Sequence, residues 1–202
     1  WRIEQITRDR VIVSPAPGQP GKMPFWRGDG IGRSAELGET VGAFTRHLER
    51  FRSPDEAVGW LTAETDLDER AARNLVAYLA EEREATGCLP TDRRIVVERY
   101  LDELGDWRVV ILSPYGGRVH APWAMTIEAK LAEAGFPESQ VIWGDDGIAI
   151  RLGGGEDVPP LDVFFSAPDE LEDLLLSRLG STALFAARFR ENAARALLLP
   201  RR

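Results

Sequence analysis

The sequence predicts an α+β fold: antiparallel β-hairpins, or a small mixed sheet, packed with several helices and closed by a long C-terminal helix. Three observations carry this. Apolar residues recur at helical spacing in the first half and at the end of the chain, while the middle switches to short β-branched runs between turn residues. Composition fits a folded chain: of 202 residues, 44% are hydrophobic and 29% charged, with mean hydropathy −0.24. Disordered, collagenous and membrane classes are excluded on those grounds, and no run of eighteen apolar residues occurs. The length suffices for one large domain or two small ones, each with its own core.

Taken in order, residues 1–14 read as strand, turn, strand. Ile3, Ile6 and Val11-Ile12-Val13 supply the β-branched side chains, and Thr7-Arg8-Asp9-Arg10 the turn. Pro15, Pro17, Gly18, Pro20, Gly21 and Pro24 then forbid regular structure and stiffen a loop holding KMPFWRGDGIGR, residues 22–33. A helix over 36–50 carries Leu37, Val41, Phe44 and Leu48 on one stripe. Ser53, Pro54 and Glu56 start the next as N-cap, first-turn proline and N3 carboxylate. Leu67, Ala71, Leu75 and Leu79 line a third helix, which ends near Gly87. Residues 94–100 and 107–113 form a hairpin about 102–106, and Pro114-Tyr115-Gly116-Gly117 turns the chain into a helix over 122–134. A second hairpin, 141–143 with 147–152, turns at Asp145-Asp146. Leu161 to Phe165 reads as a strand, Ser166-Ala167-Pro168-Asp169 caps a helix stopped by Gly180, and a final helix runs over 182–199. One region thus spans 1–202: a β-rich head with its Pro/Gly loop (1–33), a helical part (34–90), hairpins with one helix (91–165) and C-terminal helices (166–202).

Net charge is −8, unevenly spread. Basic and acidic side chains number six and three over 1–33, seven and fourteen over 51–106, five and twelve over 107–180, and five and one over 181–202. A basic head and tail bracket an acidic middle, consistent either with an ordinary solvated surface or with two local contact patches. The single cysteine, Cys88, forms no internal disulfide, which fits a reducing cytoplasm. The chain begins at Trp1 without a methionine and reads as a segment of a longer polypeptide.

Little catalytic chemistry is available. His47 and His120 are far apart in sequence and no cysteine pair exists, so no zinc site is expected. No serine stands in a G-x-S-x-G context. Asp145-Asp146 could serve as acid and base, or simply as turn residues. The glycines at 28, 30 and 32 match neither a Walker loop nor a dinucleotide fingerprint, so the chain has no ATP-hydrolysing motif.

Three features remain. In the stiff loop, Phe25 and Trp26 lie among Lys22, Arg27 and Arg33, where an aromatic can stack a base while cations hold phosphates. The alternative is a tryptophan packed onto its own domain. On the final helix Arg188, Glu191, Asn192 and Arg195 share one face, opposite an apolar face of Phe185, Phe189, Ala193 and Leu197 that holds the fold. Glu191 pairs with Arg195, which leaves Arg188 and Arg190 freer to meet a phosphate or another domain. Around residues 115–123, glycines permit close approach, Arg118 and His120 donate, and the helix start offers amides to an anion, while Trp123 packs or contacts.

Three stretches that carry these features, APGQPGKMPFWRGDGIGR, VVILSPYGGRVHAPWAM and LFAARFRENAARALLLPR, resemble the DEAD/H-associated region of Lhr-type (large helicase-related) superfamily 2 helicases. They fall at the beginning, middle and end of the chain, in family order. The resemblance implies a parent enzyme that hydrolyses ATP or dATP and moves 3′ to 5′ on single-stranded DNA. That enzyme would unwind DNA duplexes and RNA:DNA hybrids in cytoplasmic DNA repair. ATP and Mg²⁺ would be bound by upstream RecA-like motor domains, so this segment needs no cofactor and is not catalytic. Its partners would be single-stranded DNA, duplex junctions, and the RecA-like and winged-helix domains of the same chain, with no membrane. The expected nucleic-acid-binding residues are Trp26, Lys22, Arg27, Arg33, Arg118, His120, Arg188 and Arg190. A reading from another class is an acidic protein-interaction module that touches no nucleic acid.

Overall fold

Alternating burial along two strands organises the main unit of this protein. The computed structural model describes residues 2–7, 10–15, 17, 32–153 and 158–198. The chain divides into two units, Trp1–Gly30 and Ile31–Arg202.

In the first unit, β1 (Arg2–Ile6) pairs antiparallel with β2 (Val11–Ser14). The Thr7 N–H donates to the Arg10 carbonyl at 2.8 Å, and the Arg10 N–H to the Thr7 hydroxyl at 3.1 Å. This is the hairpin expected from the sequence.

The second unit begins with α1 (Ala35–Leu48), α2 (Pro54–Glu64) and α3 (Glu69–Thr86). Each starts on the cap its sequence provides: Ser34, Ser53 and Asp68 accept the N–H of Leu37, Glu56 and Ala71. Gly87, at φ 80°, ends α3 in the left-handed conformation. Leu48, Val58, Leu61 and Ala72 form a helical core, with Phe44, Phe51, Trp60 and Leu75 packed around it.

The sheet follows. Its strands are β3 (Val96–Leu101), β4 (Trp107–Leu112), β5 (Gln140–Trp143) and β6 (Gly147–Leu152), in the order β3-β4-β6-β5 and antiparallel throughout rather than mixed. Helix α4 (Gly117–Glu133) connects β4 to β5. Val109 and Ile111 of β4 register with Ile150 and Ile148 of β6, so a period of two turns all four to one face. Ala124, Ile127 and Leu131 of α4 and Phe164 complete that core. Burying each such aliphatic side chain contributes about 1.5–3 kcal/mol. The chain closes with α5 (Pro168–Leu179) and α6 (Ala183–Arg195).

Four expectations are corrected. Residues Leu161–Phe164 form a 3₁₀ turn, not a strand, because Phe164 is drawn into the core while its backbone bonds locally. Helix α4 starts at Gly117 rather than at Pro122, which lies inside it. The final helix ends at Arg195: Leu197 enters the left-handed region at φ 57°, and the N–H groups of Leu197 and Leu198 bond back to Ala194 and Ala193. That is a Schellman closure without its usual glycine. On α1 the stripe of Leu37 and Val41 is exposed, and the buried face is Gly38, Gly42 and Leu48.

Those glycines let backbones touch. A Cβ on Gly38 would stand 2.3 Å from the Pro114 carbonyl oxygen, and one on Gly42 would stand 2.2 Å from the Asp92 nitrogen. Arg46 locks the same contact, its Nε and Nη2 donating to the two Asp92 oxygens at 2.7 and 3.0 Å. Gly42→Ala should therefore destabilise the chain by about 1–3 kcal/mol. Gly59→Ala, on an exposed helical position with nothing within 4 Å, should stabilise it by about 0.5–1 kcal/mol. Urea denaturation at pH 7 measures both, and equal effects would contradict this packing.

Candidate functional site

The segment SPYGGRVH leaves β4 and must reverse into α4 within four residues, and its two glycines make this possible. Gly116 sits at φ 86°, and a Cβ there would lie 2.3 Å from the Arg33 carbonyl oxygen. A Cβ on Gly117 would meet the Trp143 ring at 3.0 Å. The ends of β4 and β5, the start of α4 and the residues just before α1 thereby converge on one spot.

Charge fixes the convergence. Asp145, in the turn after β5, accepts the N–H of Gly117, the first of α4, through Oδ1 at 2.8 Å. Arg33 reaches across with Nη1 donating to the carbonyl oxygens of Pro114 at 3.2 Å and Asp145 at 3.1 Å. Its Nη2 pairs with Asp146 Oδ1 at 2.9 Å. The Ser113 N–H donates to the Asp146 carbonyl at 3.0 Å. A carboxylate at a helix N-terminus also meets the positive end of the helix dipole. The Asp145 carboxyl accordingly lies below its ordinary range, chiefly through the Gly117 N–H and then the Arg33 N–H.

Beneath this knot lies His120. Its Nδ1 donates to the Gly144 carbonyl at 2.7 Å, so Nε2 is the unprotonated nitrogen, and it is buried without a hydrogen-bond partner among the described residues. Burial lowers the pKa of the ring and keeps it neutral. Trp123 donates from its indole to the Phe164 carbonyl at 2.7 Å, and the Tyr115 hydroxyl to the Asp92 carbonyl at 2.7 Å.

The expected site residues separate accordingly. Lys22, Trp26 and Arg27 lie outside the described residues. Arg33 is spent inside the fold, on the Pro114 and Asp145 carbonyls and the Asp146 carboxylate. His120 is fully buried and offers nothing to a ligand at the surface, because its one donor is used on Gly144. Arg118 is exposed on the first turn of α4, near Glu36 of α1. Arg188 is not free: it pairs with Glu191 at 2.9 Å, as Arg195 does at 3.2 Å. Arg190 is exposed on α6. The anion site expected at the start of α4 is filled by Asp145, and Asp145-Asp146 work as a cap and an ion-pair partner.

Sequence reasoning missed Asp145 as the cap of a helix that starts 28 positions earlier, since no local pattern marks so distant a pairing. It also missed Arg46 and Asp92. The signal for those was a basic residue in the last turn of α1, which alone names no partner. Among the described residues, no group of three or more His, Cys, Asp or Glu could hold a metal ion. No helix among them is long and apolar enough to cross a membrane.

Comparison with known proteins places this geometry. The DEAD/H associated family matches residues 89–202. The Lhr helicase/probable uracil glycosylase of Mycolicibacterium smegmatis is 50% identical over all of this chain and 13% of its own length. The Lhr helicase/uracil glycosylase of Escherichia coli is 45% identical over the same shares. An ATP-dependent helicase Lhr-Core of Methanothermobacter thermautotrophicus is 29% identical over 95% of this chain and 22% of its own length. The solved structure of Mycobacterium smegmatis helicase Lhr bound to ssDNA and AMP-PNP matches 93% of this chain and 24% of that one, with a TM-score of 0.80 and 48% identity. The chain therefore spans about an eighth of the two bacterial relatives.

Asp145→Asn keeps the acceptor but removes the charge, so it should lower stability at neutral pH by about 0.3–1 kcal/mol, the usual worth of a carboxylate at a helix N-terminus. Because the folded pKa of Asp145 is depressed, its contribution is complete above the unfolded carboxylate value, near ~3.9, and fades as pH falls through the folded value. Denaturation of both proteins from pH 7 downward should show the two curves converging in acid. A gap that stays constant with pH would contradict the capping role.

Proposed function

This chain belongs to the DEAD/H associated family, and on that premise we propose that it is the accessory DNA-channel region of an ATP-driven helicase, without catalysis of its own. The observation that carries the reading is the match, at 48% identity and a TM-score of 0.80, to a helicase solved with single-stranded DNA. The prolines at 15, 17, 20 and 24 around Lys22, Trp26 and Arg27 in the sequence support it, since each fixes one backbone angle and leaves less entropy to lose when an aromatic stacks on a base.

In this proposal Trp26 stacks a base, and Lys22, Arg27 and the exposed Arg118 meet phosphates. Arg33 acts as a positioning residue. The parent enzyme moves 3′ to 5′ on single-stranded DNA, unwinds DNA duplexes and RNA:DNA hybrids, and serves DNA repair in the cytoplasm. ATP and Mg²⁺ belong to its RecA-like motor domains, because this sequence has no Walker loop and the α4 N-terminus already holds Asp145. The winged-helix and motor domains of the same polypeptide complete the channel.

Trp26→Ala in the intact enzyme should impair unwinding more than DNA-dependent ATP hydrolysis, and Trp26→Phe should restore part of the unwinding. Stacking is worth about 1–3 kcal/mol per base, so strand affinity should fall by about 5- to 160-fold. A melting curve excludes simple unfolding, and a folded alanine variant that unwinds normally would refute the stacking role.

Removing one phosphate contact with Arg118→Ala should reduce the salt dependence of single-strand binding by about 0.7 in log–log slope. Absence of any binding at low salt would favour the acidic protein-interaction module, for which the acidic middle of the chain is the one supporting observation.

A further inference from the structure

Helix α6 is strongly amphipathic, yet of its apolar side only Ala193 is buried among the described side chains. Phe185 and Phe189 stack on each other with centroids 5.9 Å apart, and they remain 40% and 64% exposed. Leu197 and Leu198, just beyond the helix end, are exposed as well. No other helix or strand among the described residues packs extensively on α6. Of the face expected to hold the fold, Phe185, Phe189 and Leu197 are thus left exposed. A helix of 13 residues is marginal in water without a surface to pack on, and a contiguous apolar patch of this kind marks an interaction site.

The polar surroundings define what could cover it. Arg188 and Arg190 lie about 100° to either side of Phe189 around the helix. With Arg195 they make three arginines, against the single carboxylate of Glu191, which already pairs with Arg188 and Arg195. A symmetric pairing with a second copy would bring these arginines against themselves. Pairing α6 with a different face of a second copy would propagate as a filament instead of closing. A nucleic-acid strand would find two aromatic rings but no use for two exposed leucines. The remaining occupant is part of the same polypeptide. In the matched solved helicase about three quarters of the chain lies outside the matched region.

We propose that the Phe185–Phe189 face of α6 is a docking surface for another domain of the same polypeptide, one presenting an apolar groove with carboxylates at its rim. This rests on the reading of the chain as one region of a longer helicase. The rings fill the groove, and the arginines, Arg190 foremost, meet the rim and fix the register.

Hydrogen–deuterium exchange on the full-length protein tests it. Amides of α6 should exchange at least about tenfold slower in the wild type than in F185S/F189S, while those of β4 and β6 stay equally protected and report an intact fold. Arg190→Glu should also speed exchange at α6, and Arg190→Lys should not. Unprotected α6 amides in the wild type would overturn the proposal. Protection that rises with protein concentration would assign the face to a second copy, and protection that needs an added single-stranded oligonucleotide would assign it to nucleic acid. Either result overturns the proposal too. None of these readouts depends on Trp26, so failure of the strand contact and failure of the docking are separable. A native polypeptide no longer than this chain would defeat the underlying reading, and its mass would reveal that.

Discussion

The carboxylate of Asp145 takes the first N–H of α4, and the guanidinium of Arg33 closes over the same turn onto Pro114, Asp145 and Asp146. Much of the second unit depends on that pairing. It sets where α4 begins, and so which residues of α4 face the sheet. It holds the turn after β5, and so the register of the hairpin that supplies Ile148 and Ile150 to the core. It also brings the residues before α1 against Gly116 at a distance only glycine permits. A polar junction here is stable because its charges are mutually satisfied; a buried group left unpaired would cost about 1–3 kcal/mol.

The same economy of charge runs through the rest of the second unit. Arg46 is held by Asp92, Arg94 by Glu49, Arg108 by Asp102 and Arg151 by Asp106. Each of these pairs joins different turns or strands, so the side chains act as ties and contribute little field beyond the protein. A basic residue therefore says little about ligand binding until its partner is known. Arg188 illustrates this: its sequence context made it a candidate phosphate contact, and in the folded chain it shares Glu191 with Arg195.

Glycine plays a comparable double part. Gly38 and Gly42 stand where a helical stripe would be expected to carry larger side chains, and they bury backbone against backbone. The large residues of α1, Leu37 and Val41, are left exposed in consequence. Exposed apolar surface thus occurs on α1 and again on α6. This is consistent with a region that spans an eighth to a quarter of the lengths of its relatives.

By itself the sequence determined what depends on local physics. The Ser53 cap, the terminating Gly87 and the first hairpin follow from capping, backbone freedom and turn chemistry, each written within a few residues. The α+β class and the family likeness were legible for the same reason, since both rest on contiguous stretches. Only the tertiary structure decided the rest. The start of α4 hangs on a carboxylate 28 positions away, which overrides Pro122 as a helix opener. Leu161–Phe164 became a 3₁₀ turn because the core claims Phe164. His120 and Arg33 looked like ligand donors and became internal ones, because burial and partner choice belong to the packed chain. A side chain's type fixes which bonds it can make; only its neighbours in space fix which of them it does make.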